Sequence, residues 1–309
     1  MQQPIESDEM KLLGNAPSMA GVRRFIDRAA PHALPVLLLG ETGTGKELVA
    51  RALATAGAGL PATWVALNCA GLDHQLVASE LFGHERGAFT GAQGRHAGAL
   101  ERAAGGVLFL DEVGELPLAV QALLLRYLET GEIWRLGAEA PINVRCRLLA
   151  ATHRDLTAAV TAGHFRADLY FRLHVLVLTL PPLRQRLDEL PRLAIQLLQQ
   201  DFPGRAIPLT SAALVRLRAH PWPGNVRELR HVLARAVIMG SGQQVTATDL
   251  SFAPLATLAP APAAPPGELA QVQARAILAE LRRQGGHLQR TALALGIARS
   301  TLNRRLRSL

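Results

Sequence analysis

Gly40-Glu41-Thr42-Gly43-Thr44-Gly45-Lys46-Glu47 lies between an apolar run, Val36-Leu37-Leu38-Leu39, and a helical run, Leu48-Val49-Ala50-Arg51-Ala52-Leu53. Strand, glycine-rich turn, lysine and helix, in that order, is the arrangement that cradles phosphates. Glycine lets the backbone fold tightly enough for its N–H groups to converge. The helix contributes the positive end of its dipole, and a lysine at this spacing reaches the β- and γ-phosphates. The expected contacts are Gly40, Glu41, Thr42, Gly43, Thr44, Gly45, Lys46, Glu47 and Leu48. Glu47 stands where a metal-ligating Ser or Thr is usual, so the residues alone require another way of holding Mg²⁺.

Short apolar runs at 36–39, 64–68, 107–110, 147–151 and 175–180 alternate with helical patterns. They predict a parallel sheet covered by helices on both faces. Pro181-Pro182 ends that pattern, and only helices are predicted from there to about residue 250. One of them has Asn225 as its expected N-cap, with Glu228 completing a capping pair. Five prolines among alanines in 254–267 read as an extended linker. The expected domains are a short extension 1–11, an α/β ATPase part 12–182, a helical lid 183–250, a linker 251–267 and a helical module 268–309.

The 309-residue chain carries a net charge of +8, of which +6 lies in residues 268–309, where eight arginines face Glu268 and Glu280. A basic end of this kind points to a polyanion partner. No apolar run reaches the roughly 18 residues a membrane span needs. No signal-peptide pattern opens the chain, and Cys69 and Cys146 lack metal-site spacing. The expectation is a cytoplasmic protein with reduced thiols and no membrane partner.

Gly105-Gly106-Val107-Leu108-Phe109-Leu110-Asp111-Glu112 is a buried strand ending in two acids. Beside a phosphate loop, Asp111 is expected to hold Mg²⁺ and Glu112 to polarise the attacking water. Gly83, Gly87, Gly91 and Gly94 surround Ala88-Phe89-Thr90 and predict a mobile loop with an aromatic tip. That tip folds onto its own subunit or meets a partner, and the composition leaves both open.

These stretches, with Leu67-Asn68-Cys69-Ala70, the run 80–92 that contains Gly87-Ala88-Phe89-Thr90-Gly91-Ala92, the run 165–173, Leu180-Pro181-Pro182-Leu183-Arg184 and Pro221-Trp222-Pro223-Gly224-Asn225-Val226-Arg227-Glu228-Leu229, resemble the AAA+ ATPase domain of bacterial enhancer-binding proteins, the activators of sigma-54 RNA polymerase. The similarity runs from about residue 12 to 239, and Glu47 is usual in that family. The resemblance implies an ATP- and Mg²⁺-dependent ATPase. Asn68 would hydrogen-bond Glu112 and hold it off the water. Thr152 would sense the γ-phosphate, and Arg227 would sense nucleotide from the lid. Arg166 and Arg172 would reach the neighbouring subunit's nucleotide, which implies a ring, expected as a hexamer. Gly87, Ala88, Phe89, Thr90, Gly91 and Ala92 would form the sigma-54 contact, with the segment 131–139 beside it. His153 stands where the family often carries Asn; its role is open between tuning hydrolysis and packing.

Residues 287–309 read as helix, turn, helix, with Arg299, Ser300, Thr301, Asn303, Arg304 and Arg305 projecting from the second helix. Arg, Ser and Asn suit phosphate and base-edge contacts. The pattern resembles the factor-for-inversion-stimulation type of helix-turn-helix, and enhancer DNA is the implied partner. With only about 11 residues before the ATPase part, control is expected in trans, from a regulatory protein or expression level. Two other readings compete: a DNA-binding repressor or scaffold that uses nucleotide only structurally, and a DNA motor or clamp loader. Glu112, Arg166, Arg172 and the loop at 87–92 weigh against the first, and that loop also against the second.

Overall fold

The computed structural model describes residues 17–56, 63–71 and 73–252, and, towards the C-terminus, 280–281, 283–285 and 287–294. Five strands build the sheet: β1 (Val36–Leu39), β2 (Trp64–Asn68), β3 (Val107–Asp111), β4 (Arg147–Thr152) and β5 (Leu176–Thr179). Their order is β2-β3-β4-β1-β5, every neighbouring pair parallel. All five fall where the apolar runs predict them: the first two have the same ends, and the other three differ by one residue at one end or both.

The apolar runs are continuous because both faces of the sheet are covered. Side chains alternate between the faces. Val36 and Leu38 of β1, with Val107, Phe109, Leu149 and Ala151, pack against α1 (Ala20–Ala29) and α2 (Lys46–Thr55). Leu37, Leu108, Leu110, Leu148 and Ala150 face the other way, into a core shared with α3 (His74–Phe82), α4 (Leu118–Thr130), α5 (Leu156–Thr161) and α6 (Ala167–Leu173). Arg147 opens β4 and donates from its two terminal nitrogens to the carbonyls of Ala29 and Ala30, at the end of α1, and of Leu53, near the end of α2. A cation at two helix C-termini satisfies orphan carbonyls and opposes both dipoles.

Beyond β5 come α7 (Leu190–Asp201), α8 (Ser211–Ala219) and α9 (Asn225–Met239). Leu193, Leu197, Leu217, Trp222, Leu229 and Leu233 are all buried there. Trp222 is fully buried and gives its indole N–H to the carbonyl of Leu217 at 2.9 Å. These helices belong to the same compact unit as the sheet, which ends at Ser251; a second unit begins at Phe252.

The expected capping pair at α9 is half right. Glu228 does accept the Gly224 N–H at 2.9 Å, but Gly224 is the cap and Asn225 the first helical residue. Asn225 has φ +50°, a left-handed conformation that asparagine tolerates, and its amide is engaged elsewhere. In the second unit, α10 (Leu288–Ala294) lies where the first helix of the predicted helix-turn-helix falls, with Thr291 and Ala292 buried. Arg299, Ser300, Thr301, Asn303, Arg304 and Arg305, and the linker, lie outside the described residues.

Candidate nucleotide site and the loop above it

The turn after β1 leads straight into α2. Gly45 is the helix cap at φ +98°, and Gly43 has φ +79°. A Cβ on Gly43 would stand 2.4 Å from the Gly224 carbonyl, so only glycine fits between the loop and the lid. Val226 N–H donates to the Gly43 carbonyl at 2.9 Å. Among the described residues, the backbone N–H groups of Gly43, Gly45, Lys46, Glu47 and Leu48 have no acceptor. Buried or cleft-facing N–H groups normally find one, and five convergent donors at a helix N-terminus are the chemistry of an anion site.

Those donors open on a cavity of about 640 Å³. Thr42, Gly43, Gly45, Lys46, Glu47 and Leu48 line one side, Asn68, Asp111 and Glu112 the floor, and Arg227 the lid side. The sequence reading missed the rest of the lid wall: Leu193, Leu197, Gln200, Val226, Arg230 and His231. The α7 residues recur at i, i+4 and i+7 and, with Arg227, α9 supplies i, i+1, i+4 and i+5, so helix periodicity held the signal, but nothing in it said which face met the phosphate loop.

Gly40, Glu41 and Thr44 sit behind the loop and brace it. Lys46 Nζ donates to the Gly40 carbonyl at 2.9 Å and lies 3.7 Å from a Glu112 oxygen. Glu41 receives a two-pronged pair from Arg184, at 2.8 and 2.6 Å, which holds its carboxyl below the usual range. Asn225 is the tie between loop and lid. Its Oδ1 accepts the Leu183 N–H at 2.8 Å, and its Nδ2 donates to Glu41 Oε2 at 3.1 Å and to the Thr42 carbonyl at 3.0 Å. Beneath them the buried Arg186 donates to the Thr44 carbonyl at 2.7 Å and pairs with Glu189 at 3.0 Å. Burial raises the Glu189 carboxyl to about 6 despite that pair.

Asp111 and Glu112 follow β3. Burial, and then the charge of Glu112, push the Asp111 carboxyl upward, as expected of an acid that lacks a full countercharge. Glu112 is held at φ +55°. A left-handed non-glycine residue is strained, and such strain gathers at functional sites. Burial acts to raise its carboxyl, but hydrogen bonds from His153 and the charge of Lys46 prevail and lower it.

The expected Asn68–Glu112 hydrogen bond is not made among the described residues. Asn68 Oδ1 accepts the Ala70 N–H at 2.8 Å in a local turn. Glu112 Oε2 is instead met by His153 Nδ1 at 2.7 Å, the His153 N–H at 3.1 Å and Thr152 Oγ1 at 3.4 Å. β2 and β4 both adjoin β3; it is the residues that end β4 that reach Glu112, while the Asn68 side chain is taken up by its own turn. His153, left open between tuning and packing, touches the acid directly.

Arg166 caps α6 and Arg172 lies in its last turn, both exposed. Arg166 pairs with Asp168 at 2.7 Å, and Arg172 donates to the Leu128 carbonyl at 2.7 Å. Neither is among the described residues lining the cavity.

Gly83-His84 and His96-Ala97 pair as a short antiparallel ribbon that carries the loop 85–95. Buried Arg135 clamps its base, donating to Glu101 at 2.9 and 2.7 Å and to Glu85 at 2.6 Å. Gly137 packs against Ala88, so the segment 131–139 does lie beside the loop. Within it Gly87 N–H donates to the Ala92 carbonyl and Ala92 N–H to the Phe89 carbonyl. Phe89 is half-buried with its ring on His84, whereas Thr90 is exposed. Of the two fates left open for the tip, this is the fold onto its own subunit.

A five-stranded parallel sheet, a phosphate loop after β1, paired acids after β3 and a helical lid over the cavity define an AAA+ ATPase. Residues 12–179 match the sigma-54 interaction domain family, residues 184–264 the AAA+ ATPase lid domain and residues 268–309 the Fis family of bacterial regulatory proteins. The chain belongs to the family of sigma-54-interacting transcriptional activators, with an ATPase domain and a DNA-binding helix-turn-helix. It is 44% identical over 299 residues to the transcriptional regulatory protein ZraR of Klebsiella oxytoca, covering 94% of this chain and 67% of that protein. With the DNA-binding transcriptional regulator NtrC of Escherichia coli (strain K12) the identity is 42% over 344 residues, covering 100% and 73%. NtrX from Brucella abortus, solved in complex with ATP, superposes with a TM-score of 0.70 at 32% identity, covering 96% and 68%. Among the described residues no helix is long and apolar enough to cross a membrane.

Proposed function

We propose that this ATPase binds enhancer DNA through residues 268–309, assembles into a ring, and uses ATP hydrolysis to drive the loop at 87–92 against sigma-54 so that promoter DNA opens. The observation that carries the reading is that five loop residues with unpartnered backbone N–H groups line one cavity together with Asp111, Glu112 and residues of the lid. ATP brings the phosphoryl group to be transferred, and Mg²⁺ neutralises part of its charge. The donor set fits both. The N–H groups and Lys46 bind phosphate oxygens, and Asp111 is the metal ligand. Among the described residues no group of three His, Cys, Asp or Glu forms a metal cage, which suits a cation held largely by phosphate and water.

Glu112 accepts a hydrogen bond from the attacking water, orients it, and takes up its proton as the water attacks. Thr152 and His153 hold Glu112 in place, and Arg227 reads the nucleotide from the lid. Arg166 and Arg172 act on the nucleotide of the next subunit, because α6 presents them at the surface, away from the cavity of their own chain. Gly87, Ala88, Phe89, Thr90, Gly91 and Ala92 make the sigma-54 contact. The test is capture of purified sigma-54 by the full chain with ADP and aluminium fluoride. Wild type is expected to bind and Thr90→Ala to lose binding with ATPase activity retained. Equal capture by the two, or none by wild type, overturns the reading.

A further inference from the structure

The tip of the sigma-54 loop has a defined resting place. His84 begins the loop, and its ring meets three partners. Ser79, buried on α3, places its hydroxyl 2.7 Å from His84 Nδ1. His96, across the ribbon, stacks on it with centroids 5.5 Å apart and planes at 28°. The Phe89 ring closes on it edge-to-face at 5.0 Å and 69°. Ser79 and His96 fix the His84 ring before Phe89 arrives, so the seat is preformed. Glu85 and Arg135 anchor the chain directly after it, which leaves the four residues 86–89 as the movable arm.

We propose that His84 is the positioning residue for Phe89: it holds the aromatic tip down and sets the fraction of loops whose ring is free to meet sigma-54. The proposal rests on the reading of 87–92 as the sigma-54 contact. Edge-to-face aromatic pairs are weak enough to reverse and strong enough to bias. Losing one shifts an open–closed equilibrium by about two- to tenfold. A seat of that strength yields readily to a nucleotide-driven displacement of the loop base, whereas a deeply buried phenylalanine would not. Histidine suits the position because it offers an aromatic edge to Phe89 while its ring nitrogen pins its orientation through Ser79.

The experiment is limited chymotrypsin digestion of the full chain without nucleotide, with the rate of cleavage after Phe89 read by mass spectrometry. His84→Ala is expected to raise that rate about two- to tenfold with ATPase activity at wild-type level. His84→Phe, which keeps the aromatic contact, is expected to restore it. His84→Ala is also expected to capture sigma-54 without aluminium fluoride. Should His84→Ala lose its ATPase through misfolding, Ser79→Ala, which frees the ring without removing it, gives the same readout and the same expected rise. Unchanged cleavage in these variants, or His84→Phe as open as His84→Ala, overturns the seat. The digestion needs no sigma-54, so failure of wild type to capture sigma-54 strikes the function reading and leaves the seat to be judged on cleavage alone.

Discussion

Replacing Asn225 separates what holds the lid to the phosphate loop. In Asn225→Ala the buried Leu183 N–H loses its acceptor at 2.8 Å, and an unsatisfied buried donor costs about 1–3 kcal/mol. Alanine at φ +50° adds about 1–2 kcal/mol of backbone strain. The expected loss is therefore about 2–5 kcal/mol. Asn225→Gly loses the same hydrogen bonds without the left-handed strain, so it is expected to be the more stable of the two by about 1 kcal/mol. Asn225→Asp keeps an acceptor for Leu183 but puts a second carboxylate where the amide now donates to Glu41 at 3.1 Å. It is expected to fold better than Asn225→Ala and to bind ATP more weakly than wild type. Urea denaturation followed by tryptophan emission measures the first two differences, and ATP titration the third. If Asn225→Ala lay within about 0.5 kcal/mol of wild type, the usual range of a neutral surface change, or if the glycine variant were the less stable, the assignment of Asn225 as the tie would be wrong.

Glu112→Gln is expected to keep ATP binding and lower turnover by at least about 100-fold, the lower range for loss of a general base; normal turnover removes Glu112 from its role. Arg166→Ala and Lys46→Ala subunits, each inactive alone, are expected to regain ATPase activity when mixed, as one supplies the arginine and the other the phosphate loop; no recovery at any ratio argues against action between subunits. Glu189 gives a pH signature. Its folded pKa is raised, from 4.5 to about 6, so folding favours the protonated form and wild type loses stability as pH rises through that window. Glu189→Gln has no such loss. Its stability relative to wild type is expected to climb by up to about 2 kcal/mol between pH 4.5 and 7, and a flat difference refutes the raised value.

Continuous apolar runs made the sheet legible, because five of them alternating with helical patterns admit few other readings. The phosphate loop and the paired acids were legible for the same reason: each is a local word whose meaning depends on its own strand end. What stayed hidden is what depends on strand order. The contact of His153 with Glu112 cannot be read from spacing, since it follows from β4 lying beside β3; Asn68 ends β2, which also adjoins β3, yet its side chain is taken up by a local turn. Asn225 shows the same limit from another side. Its local context, before a helix and three residues ahead of a glutamate, is that of an N-cap, yet its amide spans 42 positions to Leu183 and more than 180 to Glu41 and Thr42.

These hidden contacts belong to one circuit. Glu112 is bound to the end of β4 and lies 3.7 Å from Lys46; Lys46 donates to the Gly40 and Glu41 carbonyls; and the Glu41 side chain is joined through Asn225 and Arg184 to the start of the lid. A ligand that draws Lys46 away from those carbonyls changes the field at Glu112 and the brace of the lid together. Coupling of this kind requires that the same groups have two sets of partners of similar strength. Charged and polar contacts around a cavity meet that condition, and the apolar core of the sheet does not. The contacts of this circuit therefore lie at the strand ends and the start of the lid, where polar groups can exchange partners without disturbing the packing beneath them.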